Sequence, residues 1–431
     1  MSFDPAETAA PNPAQSEAFL REHARATRRY FLQLSGMGAA ATLLSQPLRA
    51  APPSPASSDK AALQRALDEL EPYLTPQDEF QDVSRGKPKP HSLSDEKKAE
   101  VGLTRETWSL EVVSDTDQPA RIKRPLRKAD NTALTFQQLL EMGKTKAVRF
   151  PKVMTCLNIG CPLGMGVWEG VPLREVLWLT EPVENLRRVF YYGYHNDDPE
   201  QMFRSSLPVG RVLEDPFDLP PVILCYKLNG EWLSAERGGP VRMVVPEAYG
   251  FKSIKWLSHV VLTNLPHAND TYAEKNNDVD SPLKTFCATI YTPDKVKSGE
   301  SIPLTGWAQS GIAGLSKVQV WIQPRGEAWA EDDPYFLRAP WRDADILPAE
   351  PHLGATEPLG PTVGLQDNGQ AEQWPLRLTK AHWATLHPGL PAGQYVLRCR
   401  TVDGKGVGQP LPRPFRKSGH AAIEQHRLVV E

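Results

Sequence analysis

The fold is decided by the stretch Pro151-Lys-Val-Met-Thr-Cys156-Leu-Asn-Ile-Gly160-Cys161-Pro-Leu-Gly164-Met-Gly166-Val-Trp168-Glu-Gly170-Val-Pro-Leu173-Arg-Glu-Val-Leu177. A Val- and Phe-rich strand is predicted over residues 147–154, before a loop that contains two cysteines and several glycines. Glycine lets a backbone approach a ligand closely. Pro172 then favours the first turn of a short helix. A thiol at the end of a strand, beside a glycine-lined loop, predicts a seat for a soft metal.

Length and composition limit the classes of protein to consider. A chain of 431 residues predicts two domains plus a leader. The net charge of −3 and the lack of a basic run with interleaved aromatics argue against nucleic-acid binding. The 41 prolines and 11 tryptophans indicate many turns and β-rich packing. Five cysteines leave at least one thiol outside any internal disulfide, and no phosphate-binding or dinucleotide-binding glycine loop occurs.

The N-terminal segment has the pattern of an export signal. Thr27-Arg28-Arg29-Tyr30-Phe31-Leu32-Gln33 is a twin-arginine signature, and residues 31–48 carry no charge. We therefore predict a twin-arginine signal and linker over residues 1–58, export by the twin-arginine machinery, and a periplasmic location. Residues 48–51 match a cleavage site poorly, so an uncleaved membrane anchor is the alternative to cleavage.

Short elements are predicted along the rest of the chain. Helical spacing favours a helix over 59–74 and a capped one over 135–140. Alternation predicts strands, and Asn229-Gly230 predicts a hairpin turn. The strands are predicted at 107–113, 188–194, 222–226, 241–245, 302–308, 318–322 and 395–400. A polar segment near 267–281 marks a domain boundary, and the Pro/Gly-rich residues 325–373 are expected to be an insertion or a mobile loop.

Several separated motifs resemble the sulfite oxidase family, in order, from about Phe80 to the C-terminus. The motifs are Thr155-Cys156-x-Asn158, Trp168-x-Gly-Val-Pro-Leu173, Gly239-Pro-Val-Arg242-Met-Val-Val-Pro246 and Tyr249-Gly-Phe-Lys-Ser-Ile-Lys-Trp256. The resemblance implies an α+β fold. In it, a mixed, β-rich molybdopterin-binding oxidoreductase domain (59–270) precedes an all-β immunoglobulin-like sandwich (283–431) that serves as a dimerisation domain.

The resemblance also implies a molybdenum-molybdopterin cofactor, a metal held by a pterin dithiolene. Cys156 matches the family's thiolate ligand of molybdenum. The alternatives are a buried structural thiol, a Cys156–Cys161 disulfide and a small metal site. Arg242, Ser253, Ile254 and Lys255 match positions that hold the pterin and its anionic tail. Arg237 and Tyr192 are weaker matches to cofactor contacts, and His195 is read as an ordinary loop histidine.

Two arginines are candidates for binding the substrate. Arg85 lies in the proline-rich segment that resembles the family's opening Arg/Pro motif, and Arg204 adjoins the segment that lines the family's substrate pocket. In that segment Phe203 replaces the family's tyrosine, and a phenyl ring neither donates a hydrogen bond nor relays a proton.

The leading hypothesis is a periplasmic molybdopterin oxidoreductase of the sulfite oxidase family. It would transfer an oxygen atom to or from a small sulfur compound or oxyanion, with sulfite oxidation preferred. Electrons would pass to an external carrier such as a c-type cytochrome, and the enzyme would be a homodimer. One alternative is a reductase of oxidised sulfur or nitrogen compounds, of the methionine sulfoxide type. The other is a non-catalytic binding protein that retains the fold.

Overall fold

The structure is a computed structural model that describes residues 57–157, 162–215, 219–273, 277–280, 282–293, 295–410 and 422–431. These residues belong to one compact unit. The predicted twin-arginine signature and Cys161 lie outside the described residues. In the described part of the chain, no helix is both long enough and apolar enough to cross a membrane.

Strands outnumber helices in the described residues, as the composition predicts. In chain order the strands are β1 (Ser109–Ser114), β2 (Leu134–Thr135), β3 (Val148–Thr155), β4 (Pro162–Pro172), β5 (Arg188–Gly193), β6 (Arg204–Pro208), β7 (Ile223–Leu228), β8 (Glu231–Trp232), β9 (Arg242–Val244), β10 (Leu257–Thr263), β11 (Phe286–Tyr291), β12 (Lys295–Val296), β13 (Ile302–Gln309), β14 (Leu315–Pro324), β15 (Arg342–Ile346), β16 (Lys380–His387), β17 (Gly393–Asp403) and β18 (Glu424–Val430). The helices are α1 (Ser57–Asp68), α2 (Asp95–Glu100), α3 (Phe136–Lys146), α4 (Leu173–Trp178) and α5 (Val209–Leu213), with 3₁₀ turns at Pro90–Ser92, Gly250–Lys252 and Pro351–Gly354.

Two five-stranded sheets are built from the part of the chain before residue 264. One has the strand order β2-β1-β10-β5-β6, with β1 and β10 parallel. The other contains β3-β4-β7-β8, and β9 pairs with β7. Asn229 and Gly230 take positive φ between β7 and β8, so the predicted hairpin turn is present. Thr135 caps α3 in a reciprocal capping box with Gln138, which explains why the helix begins at Phe136.

One eight-stranded sheet is built from the part of the chain after residue 285. Its order is β11-β13-β16-β15-β14-β17-β18-β12. β15 pairs with both β14 and β16, and thus joins the two halves of this sheet. The expectation that 325–373 is wholly an insertion or loop is therefore wrong. In the described residues, the named strands pair only within one of the two parts of the chain, and the predicted three-part division itself stays a prediction.

The hydrophobic core continues between the two parts of the chain. Val153 and Met165, on β3 and β4, pack in one buried cluster with Leu283, Leu353 and Leu378. Leu353 lies within 325–373 and is only 1% exposed, so this segment contributes to the core. The strand that leads to Cys156 is consequently held on both sides.

Two glycines that were expected in the cysteine loop lie in strand β4 instead. A Cβ on Gly164 would lie 2.5 Å from the ring of Phe80, and one on Gly166 would lie 2.3 Å from Leu228. Gly164 also has φ of +154°. The physical reason for both glycines is close side-chain packing against β4, and not the approach of backbone to a ligand.

Candidate active site

A cavity of about 480 Å³ opens where β3 ends. That volume is in the range of sites that hold a cofactor or a drug-sized ligand. Its walls come from β3, β4 and β9, from residues that flank β5, β6 and β10, and from the segment before the 3₁₀ turn Pro90–Ser92. The lining residues are Phe80, Gln81, Val83, Ser84, Arg85, Met154, Cys156, Leu157, Leu163, His195, Phe203, Arg237, Arg242, Gly250, Phe251, Ser253, Ile254, Lys255, Trp256 and Tyr272.

Cys156 is a free thiol that follows the last residue of β3 and lines the cavity, partly exposed. The preceding Thr155 is fully buried, and its hydroxyl donates to the side chain of Gln309. On the other side, Gly250 approaches so closely that a Cβ there would lie 3.3 Å from the carbonyl oxygen of Thr155. The backbone before the thiol is thus fixed from two directions, while Cys161, its suggested disulfide partner, is outside the described residues.

Two buried arginines form one wall of the cavity, and each keeps an unused donor. Arg242 donates from Nη1 to the Arg237 carbonyl at 2.8 Å and from Nη2 to the Ser253 carbonyl at 2.6 Å. Arg237 donates from Nη1 to the Phe80 carbonyl at 2.9 Å, and its Nη2 lies 2.6 Å from Glu236 without hydrogen-bond geometry. Among the described residues the Nε of each arginine has no partner. A buried donor without a partner is costly, so this wall is suited to an anion.

Lys255 adds a third cation to this wall. Its Nζ donates to Ser84 Oγ at 2.6 Å and to the Glu236 carbonyl at 2.7 Å, and it lies 3.2 Å from Asp82. Burial, followed by the charge of Arg242, lowers the pKa of Lys255 to about 7. Burial, together with the charge of Arg237, lowers the pKa of Arg242 to about 10. A bound anion would favour the charged forms of both side chains, which burial and the neighbouring cations disfavour.

Ser253 and Ile254 reach the cavity because of the turn at Gly250–Lys252. Ser253 Oγ accepts a hydrogen bond from the Val245 amide at 3.2 Å, and the Ile254 carbonyl accepts one from the Met243 amide at 2.9 Å. Lys252, within the same turn, does not line the cavity. Its Nζ lies 2.6 Å from the buried carboxylate of Asp270.

Arg85 and Phe203 meet at another part of the cavity. The Arg85 guanidinium carbon lies 4.8 Å from the centre of the Phe203 ring, a distance at which a cation attracts an aromatic face. Arg85 is otherwise exposed, which leaves its donors available to an anionic group. Nearby, His195 lines the same cavity, and burial, with the Arg85 charge opposing protonation, lowers the pKa of His195 to about 4. The imidazole is therefore neutral at ordinary pH.

Two of the predicted residues do not line this cavity. Tyr192 stacks on His259 with ring centres 4.7 Å apart and lines a second cavity, of about 660 Å³, that shares His195 with the first. Arg204 donates from Nε to the Asn269 carbonyl at 2.7 Å and lies over the Phe190 ring. The structure therefore brings together seven of the nine predicted site residues: Cys156, Arg85, Arg237, Arg242, Ser253, Ile254 and Lys255.

The residues present fit the cofactor that the sequence predicts. A soft thiolate donor faces the cavity, and the arginine wall offers unused donors for an anionic tail. Sequence reasoning missed five aromatic or hydroxyl residues of the lining: Phe80, Ser84, Phe251, Trp256 and Tyr272. The motifs that contain Phe80 and Phe251 were recognised, but nothing in their spacing indicated which side chains face the cavity.

Comparison with known proteins agrees with this geometry. Residues 100–271 match the family described as "Oxidoreductase molybdopterin binding domain". The chain is 29% identical over 182 residues to the NADH nitrate reductase of Spinacia oleracea, covering 40% of this chain and 19% of that protein. It is 30% identical over 140 residues to the mitochondrial sulfite oxidase of Drosophila melanogaster, covering 32% and 22%. The chain thus spans about a fifth of the length of these relatives.

A solved structure matches most of the fold. The sulfane dehydrogenase SoxCD of Paracoccus pantotrophus aligns with a TM-score of 0.54 at 16% sequence identity, covering 90% of this chain and 94% of that one. Such a low identity supports the arrangement of strands and nothing finer. The matched domain and the sulfite oxidase relative agree with the cavity at the end of β3 on molybdopterin as the cofactor class, and residues 100–271 form a molybdopterin-binding oxidoreductase domain similar to that of the sulfite oxidase family.

Proposed function

We propose that this oxidoreductase transfers an oxygen atom to or from a small sulfur compound or oxyanion, with sulfite oxidation as the first reaction to assay. The observation that supports it is one cavity in which a free thiol, Cys156, shares the lining with two buried arginines that have unused Nε donors. A soft ligand and an anion-binding wall are what a metal-pterin with a phosphate-bearing tail requires.

Each residue has a role in this proposal. When bound, the molybdenum centre supplies two-electron oxygen-atom exchange, which no side chain performs by itself. Cys156 would hold the metal, while Arg237, Arg242 and Lys255 would hold the anionic tail. Arg85, with its exposed guanidinium, would attract the anionic group of a substrate. His195 is neutral at ordinary pH, so it can accept a hydrogen bond from water or from a protonated substrate.

A second candidate is the reduction of oxidised sulfur or nitrogen compounds on the same cofactor. Phe203 favours it, because this buried phenyl ring stands where the family's sulfite oxidases have a tyrosine. A substrate less anionic than sulfite suits such a wall better. A non-catalytic protein that retains the fold is the third reading, and metal content separates it from the first two.

The compartment, partners and assembly are part of the proposal. The twin-arginine signature supports export to the periplasm, with the uncleaved anchor as the alternative. Electron transfer to an external carrier such as a c-type cytochrome completes the proposed reaction. The family resemblance of the part after residue 285, which contains eight strands in its described residues, supports an immunoglobulin-like dimerisation domain and a homodimer.

Molybdenum analysis of the exported protein, beside a Cys156→Ser variant, tests this function. We expect about one molybdenum per chain in the parent, since one cavity holds one metal ligand. The variant should lose the metal or change its absorption spectrum while its thermal unfolding stays close to that of the parent. Cys225→Ser is a matched control, because Cys225 is a fully buried thiol outside the cavity. A correctly folded parent without molybdenum would leave only the non-catalytic reading.

A further inference from the structure

Three aromatic side chains form a continuous wall in the cavity. Phe203 meets Tyr272 edge to face with ring centres 5.2 Å apart, and Tyr272 meets Phe251 in the same way at 5.1 Å. All three rings line the cavity. Arg85 lies over the outer ring, Phe203, and adds one positive charge to an otherwise apolar surface. We call Phe203, Phe251 and Tyr272 the aromatic wall.

The wall is assembled from three segments that are distant in the sequence. Phe203 precedes β6, Phe251 lies in the turn Gly250–Lys252, and Tyr272 follows β10 by nine residues. Edge-to-face pairs of rings depend on ring orientation, because the positive edge of one ring must meet the negative face of the other. Something must therefore fix the three segments relative to one another.

One buried carboxylate connects all three segments. Asp270, only 1% exposed, accepts hydrogen bonds from Lys252 Nζ at 2.6 Å and from Ser205 Oγ at 3.0 Å. The backbone amide and the hydroxyl of Ser206 also donate to it. Lys252 donates in addition to the Ser206 carbonyl at 2.7 Å.

Each partner in this network adjoins one ring of the wall. Lys252 is the neighbour of Phe251, Asp270 is two residues before Tyr272, and Ser205 is two residues after Phe203. A buried ion pair is strongly directional in a medium of low dielectric constant, and its hydrogen bonds fix distances closely. The network therefore holds the backbone of all three rings from behind, and contributes nothing to the lining itself, since Lys252, Ser205, Ser206 and Asp270 do not face the cavity.

We propose that the aromatic wall determines substrate specificity by binding the apolar substituent of an organic sulfur compound, and that Asp270 is the positioning residue for the wall. This inference rests on the proposed function and narrows its substrate. The substrate class is a thioether or sulfoxide with an aryl or alkyl group and at most one negative charge. Polarizable sulfur and apolar carbon pack favourably on aromatic rings. A small, strongly hydrated oxyanion would lose its water against such rings and meet a single cation, Arg85, in return.

Ligand binding to the molybdenum-loaded enzyme tests the wall without turnover. Methyl phenyl sulfone is a suitable probe, because its sulfur has no lone pair left to oxidise, and sulfate is the oxyanion for comparison. We expect the parent to bind the sulfone at least tenfold more tightly than sulfate in isothermal titration calorimetry. Phe203→Leu, which removes one ring, should weaken sulfone binding about three- to tenfold and change sulfate binding less than twofold.

Ser206→Ala tests the positioning role with little risk to folding, because the Lys252–Asp270 pair remains. Its hydroxyl is fully buried, donates to Asp270 and accepts from Arg188 Nε. Thr263→Val is the matched control, since its fully buried hydroxyl also donates, to the Gln118 carbonyl, and also accepts, from the Leu265 amide. We expect Ser206→Ala to weaken sulfone binding about threefold or more, and Thr263→Val to leave it unchanged at a similar loss of melting temperature.

The outcomes are distinguishable. A molybdenum-loaded parent that binds sulfate as tightly as the sulfone overturns the aromatic wall and leaves the proposed function in place. Equal effects of Ser206→Ala and Thr263→Val on the sulfone affinity overturn the positioning role of Asp270. A parent without molybdenum overturns the proposed function, and the substrate inference with it.

Discussion

Lys255 makes anion binding at the arginine wall depend on pH in a predictable direction. Its pKa in the cofactor-free protein is about 7, lowered from the ordinary 10.5 by burial and then by Arg242. An anion bound beside it favours the charged ammonium and raises that pKa. Affinity for the anion is therefore fully present below pH 7, where Lys255 is already charged. It is lost as the pH rises through 7, because binding must then take up a proton.

The magnitude follows from the charge interaction. Two unit charges about 4 Å apart attract by roughly 4 kcal/mol at an effective dielectric constant of 20, which is enough to raise a pKa by about 3 units. The affinity should thus fall nearly tenfold per pH unit above 7. Between pH 7, where Lys255 is half charged, and pH 9 the loss is about 50-fold, or roughly 2.3 kcal/mol.

Sulfate is the probe for this effect, because it does not titrate between pH 6 and pH 9. Its dissociation constant is measured by calorimetry on cofactor-free protein, in buffers of different ionisation enthalpy that report proton uptake. Lys255→Arg, which is charged throughout, should bind tightly with a flat pH profile. Lys255→Met should bind weakly, also with a flat profile. The parent showing no change in affinity between pH 6 and pH 9, or Lys255→Arg retaining the slope, would refute the reasoning.

Three further predictions concern stability. Burial lowers the pKa of Lys152 to about 7, so the unfolded chain binds more protons between pH 7 and pH 10.5, and the free energy of unfolding rises with pH there. In urea titrations, Lys152→Met should reduce the increase in the free energy of unfolding between pH 7 and pH 9 by up to about 2.7 kcal/mol. The same dependence of that free energy on pH in the parent and the variant would contradict this. Gly170→Ala would place a Cβ 2.2 Å from the Leu224 carbonyl oxygen, and should lower the urea midpoint by an amount equal to about 2–3 kcal/mol. Asp270→Asn leaves the Lys252 ammonium buried without its partner, and should cost about 3–5 kcal/mol. Adding Lys252→Met should restore part of that loss, whereas an additive double variant would mean that the two side chains are not coupled.

Local features of the fold were predictable from the sequence, because their causes lie within a few residues. The strand before Cys156, the capping box at Thr135 and the turn at Asn229-Gly230 all depend on neighbours in the chain. β15 was missed because the segment around it is rich in Pro and Gly. Its strand character comes from pairing with β14 and β16 on either side. A strand of five residues that depends on such long-range pairing need not show a recognisable alternation of apolar and polar residues.

The site was predictable to the extent that family motifs carry it. Cys156, Arg242 and Lys255 lie in recognised motifs, and the structure places them around one cavity. Arg204 follows the lining residue Phe203, but strand alternation directs its side chain elsewhere, and Tyr192 lies three residues before the lining residue His195 with its ring stacked on His259. The aromatic wall could not be predicted, because it requires contacts between segments around residues 203, 251 and 272 that only the folded chain brings together.

The arginine wall and the aromatic wall of the cavity differ in how much uncompensated positive charge they bury. At the arginine wall, Arg237 and Arg242 stay positively charged at ordinary pH. Backbone carbonyls accept hydrogen bonds from one Nη of Arg237 and from both Nη of Arg242, and neither Nε has a partner among the described residues. Lys255 can lose its proton, because its pKa is near 7, and the cofactor-free protein then buries one positive charge fewer. An anion reverses both costs, because it supplies acceptors to the Nε groups and a counter-charge to Lys255. Behind the aromatic wall, the buried charges of Lys252 and Asp270 compensate each other. Specific attraction for a highly charged substrate is therefore confined to the exposed Arg85, and binding of the rest of the substrate depends on its apolar surface.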